Sequence, residues 1–530
     1  MKWYYERNTS FLSSHLNKTF EQVLWMTPVE FREWVVDLRK EITRLWDETN
    51  QPPRVGCTKD EMIEQIQRLK EFNSFSLLDT DQHTSERNVL ISSFNSLGNA
   101  VNQFFPTMMK TRINYTTDVN AGRSIYDYFS KPELLESFHN YAHRHFKRDS
   151  FYSYSTPVRV NESPENSGLP EVTTGVDWIK KFESTHRPSE WDYWLSPKSS
   201  DNSYYSGFNE QIRSKVDLVL TKNDIDLLSN LIPNFCMSNV DFSKSDIHMI
   251  RVFKKGQKLF PVGFKAFRVS FCQYAVNFPP PIAKYIYEKY TKPWINEEKI
   301  YVWDPSSGWG GRLLAAMAID SNHRLVYLGN DPNTDHTTTL GRTKYHEIVD
   351  FCRNAIPPNP FEKQLNGYEG TEFHFWQKGS ENMQFDPEFQ KYRGKLSLVF
   401  TSPPYFAKEA YSEDPEQSYK RFSQYDLWKE SFLKETLTTA VLWLREGGYL
   451  AWNVSDVVFS NKTYPLEQDS IDILQNLGME YVTTLKMTLS QSQGSNRIDE
   501  TGVPKFKNAC KINGLWRKYE PIFIFKKPLS

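Results

Sequence analysis

The stretch Leu396-Ser397-Leu398-Val399-Phe400-Thr401-Ser402-Pro403-Pro404-Tyr405-Phe406 decides how the second half of this chain folds. A short apolar run rich in β-formers, stopped by a polar residue and two prolines, predicts a buried strand that ends abruptly. Neither proline can donate to a ladder, so the chain must leave the sheet at Ser402 and is held stiff there. Open α/β sheets bind their ligands at such C-terminal strand edges. A plain Pro-Pro strand terminator is the competing reading, and the residues upstream decide between the two.

The corner suits one kind of chemistry. An amino group on an aromatic ring is a poor nucleophile, because its lone pair is delocalised into the ring. Two acceptors aimed at its hydrogens, the Ser402 hydroxyl and the Pro403 carbonyl, would localise that pair, with Pro404 fixing the turn. Tyr405 would stack on the base and set its plane. Attack through a ring carbon needs a cysteine nucleophile, for which a neighbouring proline is the usual setting. None of Cys57, Cys236, Cys272, Cys352 and Cys510 adjoins a proline. Attack by an amino group on an activated methyl, which needs no strong base and no covalent intermediate, fits this corner; attack through a ring carbon does not.

About a hundred residues upstream, Lys299-Ile300-Tyr301-Val302-Trp303 predicts a strand. Asp304-Pro305-Ser306-Ser307-Gly308-Trp309-Gly310-Gly311-Arg312 follows as a glycine-rich turn, and Leu313 to Ile319 as an apolar helix. Strand, glycine turn and helix together let a ligand approach bare N–H groups. The next strand, Arg324 to Leu328, runs into Gly329-Asn330-Asp331, and a carboxylate there is placed to hold two ribose hydroxyls. A third strand, Thr371 to Trp376, leads to Gly379-Ser380-Glu381, a polar tip suited to an adenine edge. After the strand ending at Ser402 come a helix from about Tyr425 to Leu444, a strand Tyr449 to Val454 after Glu446-Gly447-Gly448, and a last strand Pro521 to Phe525. Alternating strands and helices predict an α/β fold with a parallel sheet covered on both faces.

The first 270 residues read differently. Thr27-Pro28-Val29-Glu30, Thr58-Lys59-Asp60-Glu61 and Ser130-Lys131-Pro132-Glu133 are helix-start signals, each followed by apolar residues at helical spacing that predict core stripes. Residues 1–152 are thus expected to be a helical domain. Residues 153–210, rich in Ser, Pro, Asn and Gly, predict long loops or a linker, although Trp178, Trp191 and Trp194 suggest that it packs on something. Residues 211–270 are expected to be a basic helical or connecting region, with a helix from Thr221 to Leu231. Arg251, Lys254, Lys255, Lys258, Lys265 and Arg268 form a run without an acidic residue among them, as phosphate contacts would require and as an ordinary solvated face would also show. His139 to Arg148 is a second basic, aromatic stretch.

The totals exclude several classes. With 530 residues there is room for two or three domains, and a net charge of −1 supplies no global field for a polyanion, so any nucleic-acid contact must be local. Five unpaired-looking cysteines without a Cys/His cluster argue for a reducing compartment and against zinc or a disulfide framework. No signal peptide or membrane span is evident, so a soluble cytoplasmic protein is expected.

Asp304-Pro305-Ser306-Ser307-Gly308-Trp309-Gly310, Asp331 and Thr401-Ser402-Pro403-Pro404-Tyr405 resemble motifs I, II and IV of the S-adenosylmethionine-dependent DNA amino-methyltransferases. Those enzymes methylate N4 of cytosine or N6 of adenine. Phe278-Pro279-Pro280-Pro281-Ile282-Ala283-Lys284 resembles motif X, which closes over the methionine end of the cofactor. The resemblance covers about 270–530 and is similar in style to phage-encoded members. It implies a Rossmann-like methyltransferase sheet with an antiparallel last strand over 271–530. It also implies S-adenosyl-L-methionine as cofactor, held by Asp304, Ser306, Gly308, Gly310, Asp331, Ser380, Glu381, Phe278 and Pro279, and DNA as partner. Work in a bacterial or phage-infected cell, with a restriction–modification role, would follow. Ser306 stands where the family usually has an aromatic, and no separate target-recognition segment falls between 311 and 401. The N-terminal 270 residues are therefore the expected reader of DNA sequence, with Ser490 to Lys518 as a second contact. Serine at the head of motif IV favours cytosine N4 over adenine N6. RNA or a protein glutamine as substrate, and a non-catalytic nucleic-acid binder that keeps the fold, stand as alternatives.

Overall fold

In the computed structural model, the described residues run over 12–143 and 275–529 with interruptions, of which 92–96, 114–121, 333–341, 361–369 and 490–501 are the longest. Between 144 and 274 they comprise four strands and Leu259. The chain divides into two units. One joins Met1–Thr9, Thr43–Lys131 and Phe271–Ser530; the other joins Ser10–Ile42 and Pro132–Ser270.

The larger unit begins with helix Lys59–Glu71, whose Thr58–Glu61 capping box forms as the sequence expects. Two short strands follow, β1 (Val89–Leu90) and β2 (Arg112–Ile113), separated by 3₁₀ turns.

The smaller unit holds most of helix Pro28–Thr49. There the Thr27 amide donates to Glu30 Oε2 at 2.7 Å and the Glu30 amide to Thr27 Oγ1 at 3.3 Å. Its apolar stripe Phe31, Trp34, Val35, Leu38 and Ile42 is buried. The Ser130 start signal is not used: Ser130 ends helix Ile125–Ser130, and a 3₁₀ turn Pro132–Leu134 leads into helix Leu135–His143. The box forms one turn earlier, from Ser124 to Asp127. Proline directly after Lys131 keeps that residue extended, which explains the shift. The described residues of the expected linker over 153–210 are strand rather than loop. They form β3 (Tyr154–Val160) and β4 (Trp191–Ser196), and the expected helical region over 211–270 contributes β5 (Val219–Leu220) and β6 (Ile247–Lys254). These form a four-stranded sheet in the order β4-β6-β3-β5, with β6 antiparallel to both β3 and β4. The strand signal was there in Tyr-Ser-Thr-Pro-Val-Arg-Val and Trp-Asp-Tyr-Trp-Leu-Ser, masked by the polar residues around it. The expected helix Thr221–Leu231 lies outside the described residues.

In the larger unit the sheet continues with β7 (Ile300–Asp304), β8 (Leu325–Asn330), β9 (Glu372–Trp376) and β10 (Leu396–Thr401). After the two-residue β11 (Glu409–Ala410) come β12 (Leu444–Asn453), a hairpin of β13 (Val457–Phe459) and β14 (Lys462–Tyr464), β15 (Glu480–Thr488), β16 (Ala509–Ile512) and β17 (Leu515–Lys526). The sheet order is β1-β15-β17-β12-β10-β7-β8-β9, with β16 paired to β17. β7 to β10 and β12 run parallel, whereas β17 is antiparallel to β12 and β15. This is the expected Rossmann-like α/β sheet with its antiparallel last strand.

Every residue of β10 is buried, which is why its sequence reads as a near-continuous apolar run. Its side chains divide between the faces: Leu398 and Phe400 join one core, Leu396 and Val399 the other. The first core is built with helices Pro280–Thr291, Gly311–Met317 and Lys344–Ala355. It also takes in Met62, Ile66 and Leu69, and further on Val101, Phe104 and Phe105. The second packs beneath Trp428, Phe432, Leu437 and Trp443. A π-helical segment, Lys429–Leu433, interrupts the helical stretch Tyr425–Trp443 that supplies them. From β7 the chain steps outward through β8 to β9 and then returns to the other side of β7 as β10. That reversal leaves a crevice at the C-terminal ends of β7 and β10, where such sheets bind ligands.

Candidate functional site

The crevice is fastened from below. Asp304, the last residue of β7, is 1% exposed. Its Oδ2 accepts from Arg312 Nε at 2.9 Å and from the Tyr327 hydroxyl at 2.7 Å, and its Oδ1 from Thr401 Oγ1 at 2.8 Å. Arg312 also donates to the Ser306 carbonyl, and its guanidinium lies over the rings of Phe278 and Phe400. Burial alone would lower the Arg312 pKa, but the Asp304 carboxylate beside it raises it instead, so the guanidinium keeps its charge although enclosed. Asp304 is thus committed to protein partners. Its task is to lock the glycine turn to Thr401, the residue before the Ser402 corner.

The turn itself uses its glycines unequally. Gly310 has φ +75°, and a Cβ there would stand 2.5 Å from Ile348 Cδ1, so it is a packing glycine that lets the helix start sit against Phe105 and Val101. Gly308 has φ +56° and faces open space, with no atom nearer to a built Cβ than the Ser306 carbonyl at 3.9 Å. Bare backbone is therefore presented at Gly308. Its N–H donates to Asp331 Oδ2 at 2.9 Å, which fixes the carboxylate at the end of β8. Asn330 holds the floor beneath by accepting from Trp303 Nε1 at 2.8 Å and donating to the carbonyls of Pro305 and Lys378. Tyr345, buried under the turn, donates to the Gly308 carbonyl.

Past β9, Ser380 is buried and shares a hydrogen bond with Thr436 at 2.8 Å. Glu381 is paired with Arg421, yet its Oε2 is buried without a hydrogen-bond partner. Burial raises its pKa. Phe278 packs edge-on against Phe400 at 5.3 Å, and Pro279 caps helix Pro280–Thr291. Of the expected site residues, Asp304, Ser306, Gly308 and Asp331 meet around one turn. Phe278 joins them beneath through Arg312.

At the corner, Tyr405 donates its hydroxyl to the Asn453 carbonyl at 3.3 Å, and the Ser402 hydroxyl is hydrogen-bonded to the same tyrosine. With the tyrosine proton on Asn453, the serine must be the donor, which leaves its lone pairs free to accept from elsewhere. Phe406 follows at φ +52°, a left-handed conformation that a bulky residue seldom adopts. It is held there by burial among Tyr425, Trp428 and Tyr464. Strain at the residue after the motif keeps the corner from relaxing into a regular turn.

Several residues here escaped the sequence reading. β11 pairs with β2, bringing Lys408, Glu409 and Tyr411 to the corner. Tyr411 donates to Glu409 and packs against Trp309 at 5.4 Å. Glu520, on β17, lies close enough to Tyr405 and Glu409 to act on both electrostatically. Burial pushes the Glu520 carboxyl up to about 7 and the Lys408 ammonium down to about 8. Arg312 was legible only as a charge in a glycine-rich helix start, and Glu520 as a carboxylate next to Pro521. Of the basic run, Arg251 and Lys254 belong to β6, while Lys255, Lys258, Lys265 and Arg268 lie outside the described residues.

No family model matches the chain, and no curated protein matches it. Among solved structures, a protein from Thermus thermophilus assigned as a DNA modification methylase is 19% identical over 28% of this chain, at a TM-score of 0.19. This chain spans 50% of that protein's length, and the same protein has been solved with S-adenosyl-L-methionine. A SAM-dependent methyltransferase from Methanosarcina mazei is 11% identical over 44% of this chain and 95% of its own, at 0.24. TrmN from Thermus thermophilus is 12% identical over 59% and 67%, also at 0.24.

Proposed function

We propose that the chain is a DNA methyltransferase acting on the exocyclic amino group of a base, N4 of cytosine before N6 of adenine. The observation that carries this reading is the fastening of Thr401 to Asp304. It brings a ligand-facing glycine turn and a strained Ser-Pro-Pro-Tyr corner to the same crevice.

The residues present fit S-adenosyl-L-methionine. Gly308 leaves open space above the turn, Asp331 offers a positioned carboxylate for the ribose, and Glu381 an unpartnered buried oxygen toward the adenine end. Ser306 and Gly310 shape the turn, Ser380 fixes Glu381 by holding Thr436, and Phe278 and Pro279 close the side below. When bound, the cofactor supplies an electrophilic methyl group. The chain's part is to raise the nucleophilicity of the amine. Ser402 and the Pro403 carbonyl accept its two hydrogens, and the run Ser402 to Tyr405 to the Asn453 carbonyl polarises the serine as acceptor. Tyr405 also offers a ring face to an extruded base. Arg251, Lys254, Lys255, Lys258, Lys265 and Arg268 are the proposed phosphate contacts.

The test is incubation with methyl-deuterated S-adenosyl-L-methionine and mixed DNA, followed by nucleoside mass spectrometry. Labelled N4-methylcytosine is expected. Label on adenine would keep the reaction and change the base, label found solely on added RNA or protein would move the substrate, and no label anywhere would overturn the reading.

A further inference from the structure

Glu520 has no place in the scheme above, yet it occupies the same corner. Asn453 binds the two together: its carbonyl takes the Tyr405 hydroxyl, and its Nδ2 donates to the Pro521 carbonyl at 3.0 Å. Glu520 immediately precedes Pro521, where β17 passes the C-terminal end of β12, with Asn453 facing Ile522. Its carboxyl is part-buried and has no hydrogen-bond partner among the described residues. A carboxylate held for structural reasons would be met by donors, as Asp304 is.

The groups facing Glu520 can be named. From the corner comes Tyr405; from β11 come Glu409, with Tyr411 donating to it, and Lys408 alongside. On its own strand there is the exposed Lys518. On β15, Lys486 is taken up by Glu86. Two carboxyls side by side in a partly desolvated place cannot both ionise cheaply, so the pair keeps a proton. Glu409 has a tyrosine donor to favour its anion and Glu520 has none, which leaves the proton on Glu520.

A neutral carboxyl presents an acceptor and a donor side by side. With both amino hydrogens taken by Ser402 and the Pro403 carbonyl, its O–H is the half that finds a partner, and it complements the ring nitrogen beside that amino group, N3 of cytosine or N1 of adenine. We propose that Glu520, backed by Glu409, is a specificity residue that reads the ring nitrogen beside the target amino group. Bases that carry an N–H at that position, such as guanine and thymine, then meet a donor with a donor. This inference rests on the reading of the corner as an amino-methylation site.

The experiment compares wild type, Glu520→Gln and Glu520→Ala for single-turnover methylation and duplex binding from pH 6 to 9, with cofactor affinity by calorimetry as a folding control. Wild-type activity and binding should fall as pH rises through about 7, where Glu520 ionises. Glutamine offers the same acceptor and donor at every pH, so Glu520→Gln should keep wild-type activity at low pH and lose that fall. Glu520→Ala should lose roughly ten- to a hundredfold at low pH, the worth of one good base-edge pairing. A readout independent of turnover follows from linkage. A carboxyl raised in the folded state makes the wild type lose stability as pH climbs from its unfolded value toward 7, and Glu520→Gln should flatten that slope. Loss of activity in Glu520→Gln as deep as in Glu520→Ala would overturn the proposal and make the carboxylate a proton acceptor. An unchanged pH profile in Glu520→Gln would overturn it too. A wild type that yields no methylated nucleoside at any pH would instead overturn the amino-methylation reading itself.

Discussion

Replacing Arg312 with methionine would leave the Asp304 carboxylate buried without its counter-charge. The pair is almost wholly enclosed, at 5% and 1% side-chain exposure, so solvent cannot compensate. The Tyr327 and Thr401 hydroxyls and, at 3.4 Å, the Ser306 amide would remain, and such neutral donors support a buried carboxylate only in part. Breaking a buried pair from one side costs about 3–5 kcal/mol, and the lost bond to the Ser306 carbonyl adds about 1 more. The effect should be local to the ends of β7 and β10, so the assay is hydrogen exchange by mass spectrometry on peptides covering 298–316 and 394–408. At 3–5 kcal/mol, amides there should exchange roughly a hundred- to several-thousandfold faster, with β3 to β6 unaffected. Arg312→Met combined with Asp304→Leu should recover most of the protection, because an apolar pair of similar volume removes the stranded charge. An Arg312→Met protein that exchanges within about fivefold of wild type, under 1 kcal/mol, would refute the view of this pair as the fastening of the site.

Asp331→Ala should weaken S-adenosyl-L-methionine about ten- to a hundredfold in calorimetry, through loss of charge-assisted bonds worth about 1.5–3 kcal/mol each; unchanged affinity removes it from the site. Ser402→Ala should slow single-turnover methylation by on the order of a hundred- to a thousandfold with cofactor affinity kept. Tyr405→Phe keeps the ring and removes the hydroxyl that orients Ser402 and donates to the Asn453 carbonyl, so a loss of about two- to tenfold is expected, and a loss as large as that of Ser402→Ala would assign the hydroxyl a direct role. Lys284 is buried and donates to the carbonyls of Leu69, Lys70 and Phe72 at the end of helix Lys59–Glu71. Lys284→Met should therefore release that helix end, seen as faster exchange over 64–75, and unchanged exchange there would show the bonds to be dispensable.

Legibility in the sequence followed how local the determinant was. β10 and its proline stop, the glycine turn after β7 and the Asp331 strand end were readable because strand, turn and helix starts are written in contiguous residues. The capping boxes at Thr27 and Thr58 were readable for the same reason, and the Ser130 signal failed where Pro132 over-rode it. Strands β3, β4 and β6 were missed because their partners lie about fifty to a hundred residues apart and their flanks look like loop. The corner's electrostatic partners were missed on the same ground. Glu409 and Glu520 come from different strands, and only the β11–β2 and β17–β12 pairings bring them to Tyr405. Asp304 was read as a ligand because its position suits one, and nothing local reveals that Arg312, Tyr327, Thr401 and the Ser306 amide donate to its carboxylate.

The residues Thr43–Lys131 change what the site consists of. Phe105 and Val101 fill the space that Gly310 leaves open, Asn102 bonds the Asn277 side chain that receives the Gly311 amide, and Gly98 lies against Pro280. β2 lends β11 its partner, and β1 extends the sheet beyond β15. Apart from the β1–β15 pairing, each contact falls within one or two residues of the glycine turn, the helix after Pro279 or the post-corner strand. The sequence motifs all lie beyond residue 270, but the surfaces that hold them in register come from before residue 131. A chain beginning at 271 would expose Leu314, Ile348 and Phe351 from the first core and strip Phe105 and Val101 from beside Gly310. The motifs therefore carry the chemistry, while the geometry that makes them a site belongs to both stretches together.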